Sequence, residues 1–285
     1  MLREVAVSGI RLGLIGSNIA LSSAPDLHRT AGRLCGIDVT YDLLVPKSLG
    51  LEFDAVFDRA RGEGYRGLNI TYPYKEMVVR RLTEGDNSVR LIGSCNTVLF
   101  DASGPGGANT DFTGFLLAYR NTFGKAEPGI VTLAGCGGVG RAIGFALAQL
   151  GAKALRLFDA NREKADSLAA SFSAKSPSLS VDVADSIYQA CESADGLVNC
   201  TPLGMVGRSG SAFPVEIIAG HNWAFDAVYT PIETSFLRSA RAAGLSIMSG
   251  YELFIGQGVD AFRLFTGLDI DSRAIRNALQ RERSG

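Results

Sequence analysis

The sequence contains very few histidines and almost no net charge. His28 and His221 are the only histidines, so a histidine-based catalytic triad or metal site is not expected. The 28 Lys and Arg residues nearly balance the 29 Asp and Glu residues, giving a formal net charge of −1. This balance argues against a nucleic-acid partner, which requires a basic face. Five cysteines, an odd number without paired spacing, do not make a disulfide framework or a zinc site.

Long apolar runs are also missing. The first residues, Met1 to Glu4, carry an acid early and lead into no such run, so no signal peptide and no membrane span are expected. Unpaired cysteines fit a reducing compartment, and together these features predict a cytoplasmic protein. The 285 residues, 46% hydrophobic and 20% charged, suit one large or two medium globular domains.

The segment from Gly129 to Asp159 has the pattern of a dinucleotide-binding unit. The apolar run at 130–134 predicts a buried strand, the apolar periodicity of 141–150 predicts a helix, and 154–158 predicts a second strand. Between the first strand and the helix lies a G-x-G-x-x-G motif. Its glycines permit a tight turn at Gly135, backbone approach to a pyrophosphate at Gly137, and close helix–strand packing at Gly140. The helix N-terminus would hold the phosphates.

Asp159, at the end of the second predicted strand, is placed to accept hydrogen bonds from a ribose diol. A 2′-phosphate there would meet a carboxylate, so Asp159 favours NAD over NADP. Arg162 follows three residues later and could pair with a 2′-phosphate, which leaves NADP as the alternative.

Residues 1–110 predict an α/β unit of their own. Strands are expected at 10–16, 39–45, 65–70, 94–100 and 108–110. Helices are expected from 22–25 to Gly36, at 49–61 and at 73–82, with a hairpin loop at 102–107. The chain continues after Asp159 with alternating helices and strands and two closing helices. The fold class is therefore α/β: a Rossmann-type, doubly wound dinucleotide-binding domain plus a smaller α/β domain.

Polar residues cluster at strand ends in the first unit. Lys75 would lie near the N-terminus of the predicted helix 73–82, where the helix dipole disfavours a structural cation, and this hints at a functional use. Asp111 precedes an apolar run and is otherwise explained as a helix N-cap. His28 is interpreted as a packing or capping residue, and His221 as solvated in a Gly-His-Asn turn.

These features occur together with motifs that resemble the shikimate dehydrogenase family, including its quinate/shikimate branch. The resemblance runs from Leu12 to about Gly267. It rests on eight motifs in order: LIG at 14–16 with Ser22 and PDLH at 25–28; NITYPYK at 69–75; NT at 96–97; NTD at 109–111; the glycine loop; NCTPLGM at 199–205; DAVYTP at 226–231; and QGVDAF at 257–262.

The resemblance implies a substrate domain, residues 1–112 with 250–285 returning to it, and a cofactor domain, 113–249, with the active site in a cleft between them. It implies Lys75 and Asp111 as the catalytic pair. The implied substrate-binding residues are Ser22, Asn69, Thr71, Asn96, Tyr229 and Gln257. The implied cofactor-binding residues are Gly135, Gly137, Gly138, Val139, Gly140, Asp159, Thr201, Met205 and Gly250. No metal is implied, and a homodimer is a family-level expectation.

The chain departs from the family pattern at two positions before Pro25. Ala24 stands where the family usually has a second hydroxyl residue for the substrate carboxylate, and Leu21 where it often has His. A missing donor to a carboxylate costs about 1.5–3 kcal/mol if nothing replaces it. The substrate pocket is therefore expected to be more apolar and roomier than the usual one.

The resemblance and the chemistry together predict an NAD-preferring dehydrogenase. It would interconvert a ring hydroxyl and a ketone on shikimate, quinate or a close cyclohexane or cyclohexene carboxylate. The cofactor carries the hydride, and a lysine steadied by a carboxylate can accept the hydroxyl proton. Two alternatives stay open: the same reaction on a modified analogue, and a non-catalytic dinucleotide-binding redox sensor.

Overall fold

The computed structural model describes residues 9–284, and the chain divides into two compact units. The first unit runs through Thr110 and resumes at Gln257, and the second is Asp111–Gly256. The family resemblance implied boundaries at 112 and 250. In the structure the second boundary lies between Gly256 and Gln257, within helix α10 (Gly250–Thr266).

The first unit is built around a mixed six-stranded sheet. Its strands are β1 (Ile10–Ile15), β2 (Val39–Leu44), β3 (Gly67–Ile70), β4 (Glu84–Gly85), β5 (Thr97–Asp101) and β6 (Gly104–Ala108). Its helices are α1 (Ala24–Cys35), α2 (Pro46–Leu49), α3 (Phe53–Gly62), α4 (Asn87–Ile92), the later part of α10, and α11 (Ser272–Ser284).

The strand order of this sheet is β2-β1-β3-β5-β6-β4. β1 pairs in parallel with β2 and β3, whereas β5 pairs antiparallel with β3 and β6. The carboxyl ends of β1 and β3 therefore lie side by side, which brings Thr71 next to the end of β1: its N–H donates to the Ile15 carbonyl at 2.9 Å. An apolar core that includes Phe57 and Leu68 packs against the sheet.

Three local predictions for this unit are wrong. The helix expected at 49–61 starts later, at Phe53, as α3, because Gly50 adopts φ +65° and ends the separate short helix α2 at Leu49. The helix expected at 73–82 is a 3₁₀ helix of five residues, Met77–Arg81. The glycine-rich stretch at 104–107 is strand β6, and only Ala102 and Ser103 separate it from β5.

The second unit has a fully parallel six-stranded sheet. Its strands are β7 (Ile130–Ala134), β8 (Ala154–Phe158), β9 (Ser180–Val183), β10 (Gly196–Asn199), β11 (Trp223–Asp226) and β12 (Ser246–Ser249). Its helices are α5 (Thr110–Phe123, from Asp111), α6 (Gly138–Gln149), α7 (Arg162–Lys175), α8 (Ile187–Cys191), α9 (Ser235–Ala242) and the first turns of α10. A short 3₁₀ helix spans Val215–Ile217.

Its strand order is β12-β11-β10-β7-β8-β9, with the first strand of the unit, β7, at the centre. Numbered within the unit, this is the 3-2-1-4-5-6 order of a doubly wound dinucleotide fold. The predicted fold class is confirmed. The order reverses between β7 and β10, so the carboxyl ends of these two strands form the switch point at which such sheets bind ligands.

The described residues contain no helix long and apolar enough to cross a membrane.

Candidate functional site

The loop between β7 and α6 has the close backbone approaches that its glycines predict. Gly135 adopts φ +94°, and a Cβ there would lie 2.7 Å from the Cys200 carbonyl carbon, just after β10. A Cβ on Gly140 would lie 1.9 Å from the Gly135 oxygen. Only glycine fits either position. The turn is thus pressed against the end of β10 at the switch point.

Gly137 has the opposite surroundings. No atom lies within 4 Å of where its Cβ would be, and it is the N-cap of α6. Gly138 and Val139 follow in the first turn of the helix and are partly exposed. The first turn of a helix leaves N–H groups without helical partners, directed out of the helix end. Open space beside Gly137 and these N–H groups fit a pyrophosphate.

Asp159 lies immediately after β8 and reaches back to the glycine loop. Its carboxylate accepts a hydrogen bond from the Cys136 N–H at 2.8 Å and another from the Asn161 N–H at 2.9 Å. Arg162, the alternative ligand for a 2′-phosphate, forms an ion pair with Asp185 and a second at 3.7 Å with Asp166. The glycine loop therefore borders a carboxylate, while the nearby exposed guanidinium pairs with two other acids.

Buried polar side chains end the two strands beyond the switch point. Asn199 ends β10 and Asp226 ends β11, and both are 0% exposed. Burial raises the pKa of Asp226 to about 6, although hydrogen bonds from Thr234, Val228 and Asn199 oppose the rise. Thr201 lies on the loop after β10, where its hydroxyl donates to the side-chain Oδ1 of Asn199 at 2.7 Å.

Two further predicted residues of the second unit, Met205 and Tyr229, follow these strands. Met205 is 40% exposed. Tyr229 is half-buried, and its ring stacks on Phe254 of α10 with 4.9 Å between centroids. Gly250 begins α10 where a Cβ would lie 2.6 Å from both the Ala227 and Val228 carbonyl oxygens. The absence of a side chain at Gly250 thus lets α10 start against the segment that carries Tyr229.

Asp111 lies in the first turn of α5 and is 7% exposed. Helix α5 begins at Thr110, so Asp111 is inside the helix and the N-cap interpretation is wrong. The negative charge of Asp111 affects a thiol at the switch-point edge of the second unit, that of Cys200. The pKa of the Cys200 thiol is raised well above its usual value, chiefly by burial and in part by the nearby Cys136, Asp226 and Asp111.

In the first unit, the strand-end residues form one hydrogen-bonded group. Asn96 Oδ1 accepts from the Thr110 N–H at 2.7 Å and from the Thr97 and Thr110 hydroxyls, each at 3.1 Å. Asn69 Nδ2 donates to Thr97 Oγ1 at 3.2 Å, and its Oδ1 accepts from the Tyr41 hydroxyl at 2.8 Å. The amide groups of Asn69 and Asn96 thus join β2, β3 and β5 to the start of α5.

Ser22 and Ala24 lie at the start of α1. Ser22 Oγ accepts from the Ala24 N–H at 3.2 Å, which leaves the hydroxyl proton available to donate. Ser22 and Ala24 are both half-buried, whereas Leu21 is 91% exposed. Gln257, the remaining predicted residue, is half-buried on α10.

Lys75 is half-buried in the turn that follows Pro73. Its carbonyl accepts from the Cys95 N–H at 2.8 Å, which ties the turn to the segment before β5. Because the following helix is a short 3₁₀ segment that starts at Met77, the argument from a helix dipole does not apply to Lys75. Its functional role rests on the family motif alone.

The two histidines have structural surroundings. His28 is 1% exposed and stacks on Tyr41 with 5.0 Å between centroids, as a packing residue should. Burial lowers its pKa to about 3. His221 was expected to be solvated, and this is wrong. Its two ring nitrogens lie 2.7 Å from the Ala194 oxygen and 2.9 Å from the Ile217 oxygen.

Among the described residues there is no cluster of three or more His, Cys, Asp or Glu side chains suited to a metal ion.

Comparison with known proteins identifies the family. Residues 14–98 match the shikimate dehydrogenase substrate binding domain, and residues 250–280 match the shikimate 5'-dehydrogenase C-terminal domain. A quinate/shikimate dehydrogenase (NAD(+)) of Corynebacterium efficiens is 38% identical, over 94% of this chain and 96% of the relative. The chain belongs to the shikimate dehydrogenase family.

Members that use either dinucleotide resemble this chain. A shikimate dehydrogenase (NADP(+)) of Pseudarthrobacter chlorophenolicus is 36% identical over 93% of this chain and 92% of the relative. The solved structure of quinate dehydrogenase from Corynebacterium glutamicum in complex with NAD is similar with a TM-score of 0.89 and 36% identity, covering 96% and 99% of the two chains.

Within this shikimate dehydrogenase family fold, several side chains hold the strand-end residues in place, and the sequence did not predict this role for them. They are Tyr41, Thr97, Thr110, Asn199, Asp226 and Thr234. A signal for Asn199 and Asp226 was present, since each is a polar residue at the end of an apolar strand-like run. Tyr41 gave no such signal, because an aromatic residue in a strand is ordinarily interpreted as core.

Proposed function

We propose that this protein oxidises a ring hydroxyl of shikimate, quinate or a close cyclohexane or cyclohexene carboxylate to a ketone, with NAD as the preferred cofactor. The observation that carries the proposal is the family similarity, which extends over 94% of the chain. The fully parallel sheet with its glycine loop at the switch point supports dinucleotide binding.

The choice of NAD is supported by charge at the end of β8. A ribose 2′-hydroxyl can donate to the Asp159 carboxylate, whereas a 2′-phosphate would be repelled by it. Arg162 cannot readily compensate, because Asp185 and Asp166 already pair with its guanidinium. Open space at Gly137 and the first turn of α6 would hold the pyrophosphate.

The oxidation removes a hydride from the carbon of the substrate alcohol and a proton from its hydroxyl group. When bound, NAD accepts the hydride from the carbon that carries the hydroxyl. We propose that Lys75 accepts the hydroxyl proton and that Asp111 stabilises the resulting ammonium charge. Ser22, Asn69, Thr71, Asn96, Tyr229 and Gln257 are proposed to hold the substrate carboxylate and hydroxyls, and Thr201, Met205 and Gly250 to border the cofactor.

The replacement at Ala24 bears on the substrate. With Ala24 in place of a second hydroxyl, Ser22 supplies one side-chain donor for the carboxylate from this turn. Shikimate and quinate differ at the ring carbon that carries the carboxylate, so this end of the pocket is where the two acids would be distinguished. The same site supports a related ring acid as the alternative substrate.

The proposed proton transfer is tested by Lys75→Met, which keeps the length of the side chain but removes its amine. Turnover should fall by about 10²–10⁴-fold, the usual contribution of a general acid or base. The matched control is Lys47→Met, at an exposed position on α2, which should behave as the unmodified protein. Isothermal titration with NAD should give equal affinity for all three proteins. Near-normal turnover of Lys75→Met would contradict the assignment.

The family resemblance also supports a homodimer, and the five free cysteines support a cytoplasmic location. Light scattering after size-exclusion chromatography would test the dimer, since a monomer has the mass of 30.1 kDa.

A further inference from the structure

A buried amide–carboxylate pair joins the ends of two neighbouring strands in the second unit. Asn199 ends β10, Asp226 ends β11, and the Asn199 Nδ2 donates to Asp226 Oδ1 at 2.9 Å. Both side chains are 0% exposed. Burying a carboxylate is costly unless its partners are well placed, and an apolar pair would often serve stability as well. The need to hold two strands together therefore does not by itself explain why a buried carboxylate lies here.

The Asn199 side chain holds the loop that follows β10. Its Oδ1 accepts from the Thr201 N–H at 2.9 Å and from the Thr201 hydroxyl at 2.7 Å, and its Nδ2 also lies 3.3 Å from the Leu203 oxygen. The Leu203 N–H donates to Thr201 Oγ1 at 3.2 Å. The side chain of Asn199 thus sets the course of the loop 200–205, which carries Thr201 and Met205.

The Asp226 carboxylate holds the segment that follows β11. It accepts from the Val228 N–H at 3.0 Å and from the Thr234 hydroxyl at 2.6 Å. Thr234 is also the N-cap of α9, where its Oγ1 accepts from the Leu237 N–H at 3.3 Å. The segment between Val228 and Thr234 is therefore anchored at both of its ends, and Tyr229 lies within it.

All three partners of Asp226 donate to it, so both of its oxygens act as acceptors. An asparagine that kept Oδ1 toward Asn199 and Val228 would present its NH₂ group to Thr234, whose hydroxyl would have to turn its proton away in order to accept. Asn199 meets Asp226 only through its Nδ2, because its Oδ1 is occupied by Thr201. Each side chain thus has one arrangement in which its hydrogen bonds are satisfied, which makes the pair a defined link between the two segments.

We propose that Asp226 is a positioning residue for the reaction. Through Asn199 it sets the loop with Thr201 and Met205, and through Val228 and Thr234 it sets the segment with Tyr229. One buried carboxylate would thereby fix a cofactor-binding loop and a substrate-binding side chain together. This inference rests on the function proposed above for those three residues.

The test is Asp226→Asn, with Asp195→Asn as the matched control. Asp195 also accepts from a backbone N–H and an asparagine amide, Ile130 N at 2.8 Å and Asn222 Nδ2 at 3.0 Å. It precedes β10, so it lies at the amino ends of the parallel strands, opposite the switch-point edge. Asp226→Asn should raise the Kd of NAD and the KM of the ring acid about tenfold, with a smaller change in kcat. Asp195→Asn should alter thermal stability but neither binding constant.

Thr234→Val provides a milder variant if Asp226→Asn does not fold. It removes one donor, and it should raise the KM of the ring acid more than the Kd of NAD.

The NAD affinities are measured by calorimetry and require no turnover, so they test the positioning role even if the substrate proposal fails. Equal affinities for Asp226→Asn and the unmodified protein would overturn the inference. So would an equal loss of affinity in Asp195→Asn.

Discussion

Asp159 and Arg162 lie three residues apart, and each is already occupied by other groups. The Asp159 carboxylate accepts from two backbone N–H groups, those of Cys136 and Asn161. The Arg162 guanidinium pairs with Asp185 and Asp166. The sequence favoured Asp159 and left Arg162 as the alternative. The spacing of Arg162 and Asp166, four residues apart on a predicted helix, is visible in the sequence, but the pairing with Asp185 is not, because Asp185 lies 23 residues further along the chain.

Replacing Asp159 with Asn should shift the cofactor preference toward NADP. The substitution removes the negative charge that opposes a 2′-phosphate and keeps an oxygen that can accept from Cys136. We expect the ratio of kcat/KM for NAD to that for NADP to fall by roughly tenfold, equivalent to about 1.4 kcal/mol. Initial rates with both cofactors measure this ratio. Asp182→Asn, at an exposed position on β9, is the control and should leave it unchanged.

His28 should make the protein sensitive to acid. Burial lowers its pKa from 6.5 to about 3, so between these values the unfolded chain binds a proton that the folded chain does not. Stability from this residue is complete above pH 6.5 and is lost as the pH falls toward the folded pKa. Between pH 6.5 and about pH 4 the loss amounts to roughly 3 kcal/mol.

His28→Phe keeps a ring against Tyr41 and removes the titration. Urea unfolding across this pH range should show the unmodified protein losing stability relative to the variant as the pH falls. Asp226, whose pKa burial raises to about 6, acts with the opposite sign, but it is common to both proteins and cancels in the difference. A difference in unfolding free energy that does not change with pH would contradict the buried, neutral state of His28.

At the scale of the element, the glycine loop contains two glycines that are needed for different reasons. A Cβ on Gly140 would collide with the Gly135 oxygen at 1.9 Å, whereas a Cβ on Gly137 would meet nothing within 4 Å. Gly137 also has φ −75°, which other residues adopt readily. Gly140 is thus required by the fold, whereas Gly137 is required only by a ligand that approaches the loop.

Gly140→Ala and Gly137→Ala should therefore separate stability from binding. Gly140→Ala should lower the melting temperature and weaken NAD binding together, because α6 must move away from β7. Gly137→Ala should melt as the unmodified protein does and still bind NAD at least roughly tenfold more weakly, since its methyl group would occupy the path of the pyrophosphate. Melting curves and calorimetry on the same samples measure both. Full NAD affinity in Gly137→Ala would argue against pyrophosphate at this loop.

The elements of the second unit were the better predicted from sequence. Strands β7 and β8 begin and end at the predicted residues. β7 is a short run with β-branched residues between two glycines, and β8 is a short, mainly apolar run between the helix stop at Gly151 and Asp159. Helix α6 starts at Gly138 instead of Arg141, since glycines carry no apolar periodicity. In the first unit, α4 was missed because six residues are too few for a helical period to be visible.

At the scale of the whole molecule, the alternation of strands and helices predicted the doubly wound sheet. The hairpin loop between β5 and β6 was also predicted, but the antiparallel pairing of β5 with β3, which makes the first sheet mixed, was not, because periodicity does not encode which strands pair. The candidate residues were found mainly through motifs. What holds them in place, such as the bond from Tyr41 to Asn69, joins distant parts of the chain and required the structure.

We propose that this chain is an NAD-linked dehydrogenase of a hydroxylated ring acid. The most direct measurement is the initial rate of the purified protein with shikimate and with quinate, each with NAD and with NADP, followed by formation of the reduced cofactor. We predict efficient oxidation of at least one acid, with a higher kcat/KM for NAD than for NADP. Turnover with NADP and shikimate alone would contradict the role given to Asp159. Cofactor binding without oxidation of either acid would contradict the proposed substrates and favour a related ring acid or a non-catalytic sensor.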